Sequence, residues 1–255
     1  MSYLINVDWD WKIAMGFQSE RLFNRKMGVH YSSGRNPFLD IGSSLTTDQI
    51  DYLGNHSTTQ IKPPDTELIG EGTETESYSI IISGVVKLSK TLSDGRQQIV
   101  GLQFAQSFLG RPFGRKNWIN AEAATEVKVR SFGKTIMDRI IAENPDMKHK
   151  LLREALEDLD EARDWMLALG RKNASEKVAS FLLYIAAHSY PKNDAGSAAF
   201  DLPLRRSDIG DFLGLTIETI SREMTRLRLR DTIQISNNRR ITINDMAVLS
   251  ERAGL

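Results

Sequence analysis

The sequence predicts an α+β chain in three parts: a strand-rich N-terminal half, one long helix, and a C-terminal winged helix-turn-helix. Three observations carry this. Short β-prone runs broken by turn residues fill the stretch from Ile61 to Phe132. Next, Leu152, Ala155, Leu159, Ala162, Met166 and Leu169 step by three and four residues, which is a heptad seam. The C-terminal stretch then gives helix, turn and helix, followed by "TIQISNNRRITI", two short strands about an Asn-Asn turn.

Composition sets the outer bounds. With 255 residues the chain can hold one large domain or two ordinary ones. Its 33 basic and 33 acidic residues balance, which argues against a wholly basic nucleic-acid coat but leaves room for a local basic patch. Cysteine is absent, so disulfides, thiolate nucleophiles, zinc–cysteine sites and cysteine-ligated iron–sulfur clusters are all excluded from these residues. The start, "MSYLINVDWDWKIAMGF", has early acids and no basic lead into an apolar run, so it makes a poor signal peptide. "VASFLLYIAA" is far short of the ~18–20 apolar residues that span a bilayer. A soluble, cytoplasmic protein without membrane contact is expected.

In chain order, residues 1–37 form an N-terminal arm, with Trp9, Trp11 and Phe17 able to dock it on the body and a disordered leader as the alternative. Residues 38–136 form the β-rich domain. A short helix is expected in "LTTDQIDYL", with Leu45, Ile50 and Leu53 as its apolar side. "SYSIIISGVVKLSKTL" holds two strands parted by Gly84, and the Asp-Gly of "SDGRQQIVGLQF" marks a hairpin. "TEVKVRSF" alternates Val127 and Val129 with outward charges. Such closely spaced strands suggest a β-sandwich or roll.

The long helix runs from roughly Pro145 to Leu169, inside a region spanning 137–170. Its seam either lies on the chain's own β-domain or forms a contact between two copies. Residues 171–255 make the third part. "ASEKVASFLLYIAAHSY" is a helix with Val178, Phe181, Leu182 and Ile185 on one face, and "SYPKNDAGSAAF" is a loop.

In "RRSDIGDFLGLTIETISREMTRL", Ser207 can cap the first helix, which buries Ile209 and Leu213. Gly210 allows the second helix to approach, Gly214 can take the positive φ of a sharp turn, and Thr216 caps the second helix. That helix has one apolar stripe, Ile217, Ile220, Met224 and Leu227, and a separate face with Glu218, Ser221, Arg222 and Thr225. A recognition helix presents such N-terminal outer residues to base edges in the major groove of double-stranded DNA. Arg222 can donate twice to guanine, Glu218 can accept from cytosine, and Ser221 can meet a thymine edge, with Thr219 beside them. Ser207, Thr216, Arg226, Arg239 and Arg240 suit the phosphate backbone. A solvated face, with Glu218 and Arg222 merely ion-paired, is the plainer alternative.

From about Leu39 onward the chain resembles the CRP/FNR superfamily of bacterial transcription regulators. The likeness is strongest in "LGRKNASEKVASFLL" and "IGDFLGLTIETISR", which look like the FNR and FixK branch. That branch pairs Glu-x-x-Ser-Arg, here Glu218, Ser221 and Arg222, with palindromes of the form TTGAT-N4-ATCAA. The CRP branch has arginine where Ile217 stands and glycine where Ser221 stands. One departure is Glu223, at a position often apolar in such units, with Met224 able to take over the packing. The resemblance implies a cyclic-nucleotide-binding-type β-roll, a dimerisation helix, and two recognition helices about 34 Å apart on a homodimer. It also implies activation through RNA polymerase, for which "HSYPKNDAGSAAF" is a candidate loop, an ordinary connector being the alternative.

Three effectors that the resemblance makes plausible can be set against these residues. An iron–sulfur sensor needs N-terminal thiolates, but "HYSSGRNPFLDIGSSL" offers Tyr and Ser. Cyclic AMP needs a Gly-Glu pair and an Arg-Ser or Arg-Thr pair. "FLGRPFGRKNW" has Gly110-Arg111 in place of the first, and Arg115-Lys116 after too short a segment. Arg115 is the one possible anion or effector contact. His30, His56, His149 and His188 show no metal-ligand spacing. The expectation is a FixK-like regulator with no cofactor and no metal. A regulator gated by an unidentified small molecule in the β-roll is the alternative. No nucleophile–histidine–acid set or phosphate-binding glycine loop supports an enzyme.

Overall fold

The computed structural model describes residues 44–188 and 198–255. The N-terminal arm with Trp9, Trp11 and Phe17, His30 with its loop, and most of the candidate activating loop lie outside the described residues. Helix α1 (Thr47–Asn55) is the expected short helix, held by a capping box in which Gln49 N–H donates to the Thr46 hydroxyl at 3.3 Å and Thr46 N–H to the Gln49 carbonyl at 3.1 Å. Leu53 is its buried residue.

Eight strands follow: β1 (Ser57–Lys62), β2 (Glu67–Ile69), β3 (Ser77–Ser83), β4 (Val86–Thr91), β5 (Gln97–Gln103), β6 (Phe108–Leu109), β7 (Asn120–Ala123) and β8 (Val127–Gly133). They form two four-stranded antiparallel sheets, ordered β1-β8-β3-β6 and β2-β7-β4-β5. Residues at alternate positions point to opposite faces, so one side of each sheet closes a shared core of Ile81, Val86, Leu109, Ala121, Ala123, Val127 and Val129. Gly84 joins β3 to β4 at φ 93°, where a Cβ would stand 2.3 Å from the Glu126 carbonyl oxygen, so only glycine fits.

The opposite face of the first sheet offers Tyr78, Ile80, Phe108 and Phe132 to α2 (Lys134–Glu143) and to the start of α3 (Pro145–Arg171). Pro145 opens α3 at a position where its missing N–H costs nothing. The helix carries two stripes. The outer one is the heptad seam, in which Leu152 is 58 %, Leu159 43 % and Met166 71 % exposed, Ala155 and Ala162 are exposed, and Leu169 is half-buried. The inner one steps through Met147, Leu151, Glu154, Glu161, Trp165 and Ala168, with Asp158 exposed at its edge. Met147 and Leu151 close the core under the sheet, while Trp165 and Ala168 close that of the C-terminal part.

Between those apolar ends sit carboxylates. Glu154 accepts from the Phe108 N–H at 3.3 Å, and Glu161 accepts from the Tyr184 hydroxyl at 2.6 Å. Burial pushes Glu154 up to about 7 despite its backbone bond, and pushes Glu161 up to about 7 despite the tyrosine.

The C-terminal part is built on α4 (Ala174–His188). The sequence suggested one apolar face for this helix, but every residue from Val178 to Ala186 is buried. It is a central helix, apolar all round because neighbours cover every side. Around it lie α5 (Arg206–Leu213), α6 (Ile217–Leu229), α7 (Met246–Arg252) and a sheet ordered β10-β11-β9. Strands β10 (Ile233–Ser236) and β11 (Arg240–Ile243) are the expected wing. Strand β9 (Ala198–Asp201) pairs with β11 and corrects the loop expected there: the segment supplies a third strand at its end.

Helix α5 is fastened to the β-roll along its length. Lys87 of β4, only 7 % exposed, bridges Glu122 of β7 at 2.8 Å and Asp208 of α5 at 3.4 Å. Burial pulls the Lys87 pKa down, but these two carboxylates more than offset it and leave it raised. Arg205 pairs with Asp65, and the Gln98 side chain donates to the Phe212 carbonyl at 3.1 Å. Trp165, Phe181, Tyr184 and Phe212 pack beneath, with Trp165 and Phe212 edge-on at 4.6 Å.

The raised carboxyls set a pH dependence. Glu154 in the fold keeps its proton up to about pH 7, whereas in the unfolded chain it ionises near 4.5. The native state therefore binds more protons in that window, and its stability falls as pH rises through it. Glu154→Gln keeps an acceptor for Phe108 and removes the charge. In thermal melts its stability relative to wild type should grow from pH 5 to pH 8, and equal offsets at both ends would contradict the assignment.

Candidate nucleic-acid interface

The turn between α5 and α6 fixes the geometry of the site. Gly214 caps α5 in the left-handed region at φ 62°, and Leu215 N–H returns to the Gly210 carbonyl at 3.1 Å. A Cβ on Gly210 would lie 2.6 Å from the Leu215 carbonyl oxygen, so this glycine serves the tight return of the turn itself. Thr216 caps α6, its hydroxyl accepting from Thr219 N–H at 3.3 Å. Ser207 does not cap α5, contrary to expectation. The N-cap is Arg205, whose N–H donates to the Asp208 carboxylate at 3.2 Å, and Ser207 sits exposed in the first turn. Asp208 thus secures the helix start while also holding Lys87.

The buried stripe of α6 is Ile220, Glu223, Met224 and Leu227. Ile217, expected in that stripe, is 48 % exposed, because the first residue of the helix projects beyond the core. Glu223 takes a buried place instead, and Met224 packs beside it as expected.

Glu218, Ser221, Arg222, Thr225 and Arg226 are exposed on the outer side, with Thr219 half-buried at their edge. Among the described residues, Arg222 is not paired with Glu218. Its Nε lies 3.5 Å from Glu223 Oε1 and its Nη2 3.5 Å from Thr219 Oγ1. The Glu218 carboxyl is held below its ordinary range by its own backbone N–H and by the Thr216 hydroxyl, so it stays an acceptor at neutral pH.

The phosphate candidates are less free than their sequence suggested. Arg226 Nη1 bonds Glu223 Oε1 at 2.8 Å. Arg239 Nε donates to the Leu202 carbonyl at 2.9 Å and ties the wing to the segment after β9. Arg240 stands 3.6 Å from Asp201, with both side chains largely in solvent. Asn237 and Asn238 turn the wing in the left-handed region at φ 50° and 56°, within the three residues that separate the paired Ser236 and Arg240.

The loop between β6 and β7 does not fit a cyclic nucleotide. Arg111 lies over the Trp118 ring at 5.8 Å, where a ribose-binding acid would be needed. Arg115 is exposed, and Asn117 spends its amide on Thr73, Thr75 and the Glu74 carbonyl. Among the described residues no cluster of His, Asp or Glu could hold a metal ion, and no helix is long and apolar enough to cross a membrane.

A winged helix-turn-helix joined by one long helix to a two-sheet β-roll defines a class: the bacterial regulators in which an effector-type domain positions a DNA-reading one. Comparison with known proteins agrees. Residues 60–144 match the cyclic nucleotide-binding domain, and residues 176–252 match the Crp-like helix-turn-helix domain. A Rhizobium leguminosarum bv. viciae protein named "Probable transcriptional activator" is 51 % identical over 203 residues, covering 80 % of this chain and 84 % of its own. The transcriptional activator protein FnrL of Cereibacter sphaeroides is 34 % identical, covering 82 % of this chain and 83 % of its own. The solved structure of FixK2 from Bradyrhizobium japonicum superposes with a TM-score of 0.70 at 32 % identity, covering 76 % of this chain and 96 % of that one. The chain belongs to the CRP/FNR family of transcription regulators and is FixK-like within it.

Proposed function

We propose that this chain is a transcriptional activator that acts as a homodimer and reads a palindrome of the form TTGAT-N4-ATCAA, with no iron–sulfur cluster or other cofactor. The observation that carries it is the outer face of α6, where Glu218, Ser221 and Arg222 stand exposed in the first two turns behind the Thr216 cap. Bases read there would be guanine by Arg222 and cytosine by Glu218, with Ser221 and Thr219 at neighbouring edges. Thr216, Ser207, Arg226, Arg239 and Arg240 would meet phosphates.

The exposed seam of α3 supports the dimer. Leu152, Leu159 and Met166 would be left in water in a lone protomer, an apolar strip of the kind that marks an interface. Two copies joined there would place their recognition helices on successive turns of one DNA face. The division follows the chain: an arm to residue 37, the β-roll from 38 to 136, the dimerisation region from 137 to 170, and the DNA-binding part from 171 onward. RNA polymerase in the cytoplasm is the partner that activation requires. The chain's lack of cysteine supports independence from iron–sulfur chemistry, and the β6–β7 loop supports independence from cyclic nucleotides.

Arg222→Ala should cost ~1–3 kcal/mol on the cognate duplex and relax preference at one base pair of each half-site. Competition binding with single-base variants checks this, and undiminished preference at every position would remove the contact. Leu159→Asp should convert the dimer to a monomer in sedimentation velocity. A variant that still sediments as a dimer would show that the seam is not the interface.

A further inference from the structure

Glu223 is out of place for a residue of a helix-turn-helix core. It is only 3 % exposed, on the face of α6 turned toward the protein, where an apolar side chain would pack without cost. One carboxylate oxygen serves two arginines, at 2.8 Å from Arg226 Nη1 and 3.5 Å from Arg222 Nε. The other oxygen is buried with no hydrogen-bond partner. A carboxylate taken out of water in this way is rarely worth keeping for stability, since a well-packed apolar residue often does as well or better.

Its contacts give it a different use. Both guanidinium groups are mainly in solvent, at 58 % and 60 % side-chain exposure, yet the same oxygen binds Arg226 at 2.8 Å and touches Arg222 at 3.5 Å. Arg222 meets Glu223 through Nε and Thr219 Oγ1 through Nη2, both at 3.5 Å, two donors that share one edge of the guanidinium. Those contacts use Nε and Nη2, and among the described residues Nη1 has no hydrogen-bond partner. When DNA arrives, Nη2 has only a 3.5 Å contact with Thr219 to give up. The pair of terminal nitrogens is what donates to O6 and N7 of a guanine. Arg226 is held by a terminal nitrogen, so part of its charge is already spent before any phosphate arrives.

We propose that Glu223 is a positioning residue for sequence readout: it aligns Arg222 for its base and restrains Arg226 from the backbone, lowering general affinity for DNA in favour of discrimination. This rests on the reading of Arg222 as a base contact. No group other than this chain's own arginines is needed for it.

The test uses the full chain and the variants Glu223→Leu, Glu223→Gln and Arg222→Ala. The operator is first obtained by selection of wild-type protein on random-sequence duplexes, so that no palindrome is presumed. Affinities for that operator, its single-base variants and scrambled DNA are then measured at two salt concentrations, alongside thermal melts. Glu223→Leu should bind scrambled DNA several-fold more tightly, with a salt slope steeper by about one phosphate contact as Arg226 is released. Its discrimination should fall about tenfold, within the reach of one bidentate base contact, and the loss should fall at the base pair that Arg222→Ala also affects. Its melting temperature should not drop.

A Leu variant with unchanged discrimination, or one that loses preference equally at all positions while melting earlier, would overturn the proposal and leave Glu223 a structural residue. Glu223→Gln keeps shape and an acceptor but no charge. It should melt as wild type does, bind scrambled DNA more tightly and lose about threefold in discrimination, part of what a base contact carries. Wild-type values for both affinities in the Gln variant would equally overturn it, even if the Leu variant failed to fold. If Arg222→Ala itself left every base preference intact, the base contact would fall and the positioning role with it. That result is distinct from one in which only the Glu223 variants are silent.

Discussion

The two stripes of α3 are the constraint on which the rest of the molecule depends. One edge of this helix must close two separate hydrophobic cores, with Met147 and Leu151 under the sheet and Trp165 and Ala168 against α4 and α5. The other edge then cannot turn inward, and its leucines and Met166 remain outside. A single helix therefore spans β-roll and reading head and presents the strip through which two copies would join. The carboxylates between its apolar ends, Glu154 and Glu161, border the two cores, and among the described residues Glu154 accepts from the Phe108 N–H and Glu161 from the Tyr184 hydroxyl. Burial raises their pKa values and makes this middle section sensitive to protons near neutral pH.

From that helix the order passes through α5 to the reading surface. Lys87, Gln98 and the Arg205–Asp65 pair hold α5 to the β-roll at both ends, while Phe212 packs on Trp165. Since Gly214 and the Gly210–Leu215 return admit one turn geometry, placing α5 also places α6. The sheet holding β4 and β5 is thus linked through α5 to the recognition helix. Buried ion pairs such as Lys87 with Asp208 add little net stability but strongly disfavour a protomer in which the two parts have separated, because separation would strand a buried charge.

Much of this was legible in the residues. Strand alternation at Val127 and Val129, the Asp-Gly and Asn-Asn turns, the heptad seam and the two glycines of the helix-turn-helix are local patterns with local causes, and the structure contains each of them. Features missed depend on distant partners. Helix α2 follows β8 directly, has no side-chain cap and spans ten residues, so nothing announces it. Strands β2 and β6 are two or three residues long, and β1 is mostly exposed, which removes the periodicity that would betray them. The inner stripe of α3 was hidden by its own carboxylates. Ser207 has the residue type of a cap, but the helix starts earlier, with its N-cap at Arg205, whose N–H is met by Asp208, a residue that also contacts Lys87. At the site, helical spacing and side-chain chemistry single out Glu218, Ser221 and Arg222, and the structure leaves the three exposed together on α6. The partnerships of Arg226 with Glu223 and Arg239 with Leu202 follow only from packing.

The central claim is that the exposed face of α6 reads a palindrome without any cofactor. Fluorescence anisotropy of the purified chain, in air and with no ligand added, on a TTGAT-N4-ATCAA duplex and on a scrambled duplex at two salt concentrations tests it most directly. The account predicts tight binding to the palindrome, weaker on scrambled DNA by roughly a thousandfold or more, with both affinities falling as salt rises. Equal and weak binding to the two duplexes would contradict it.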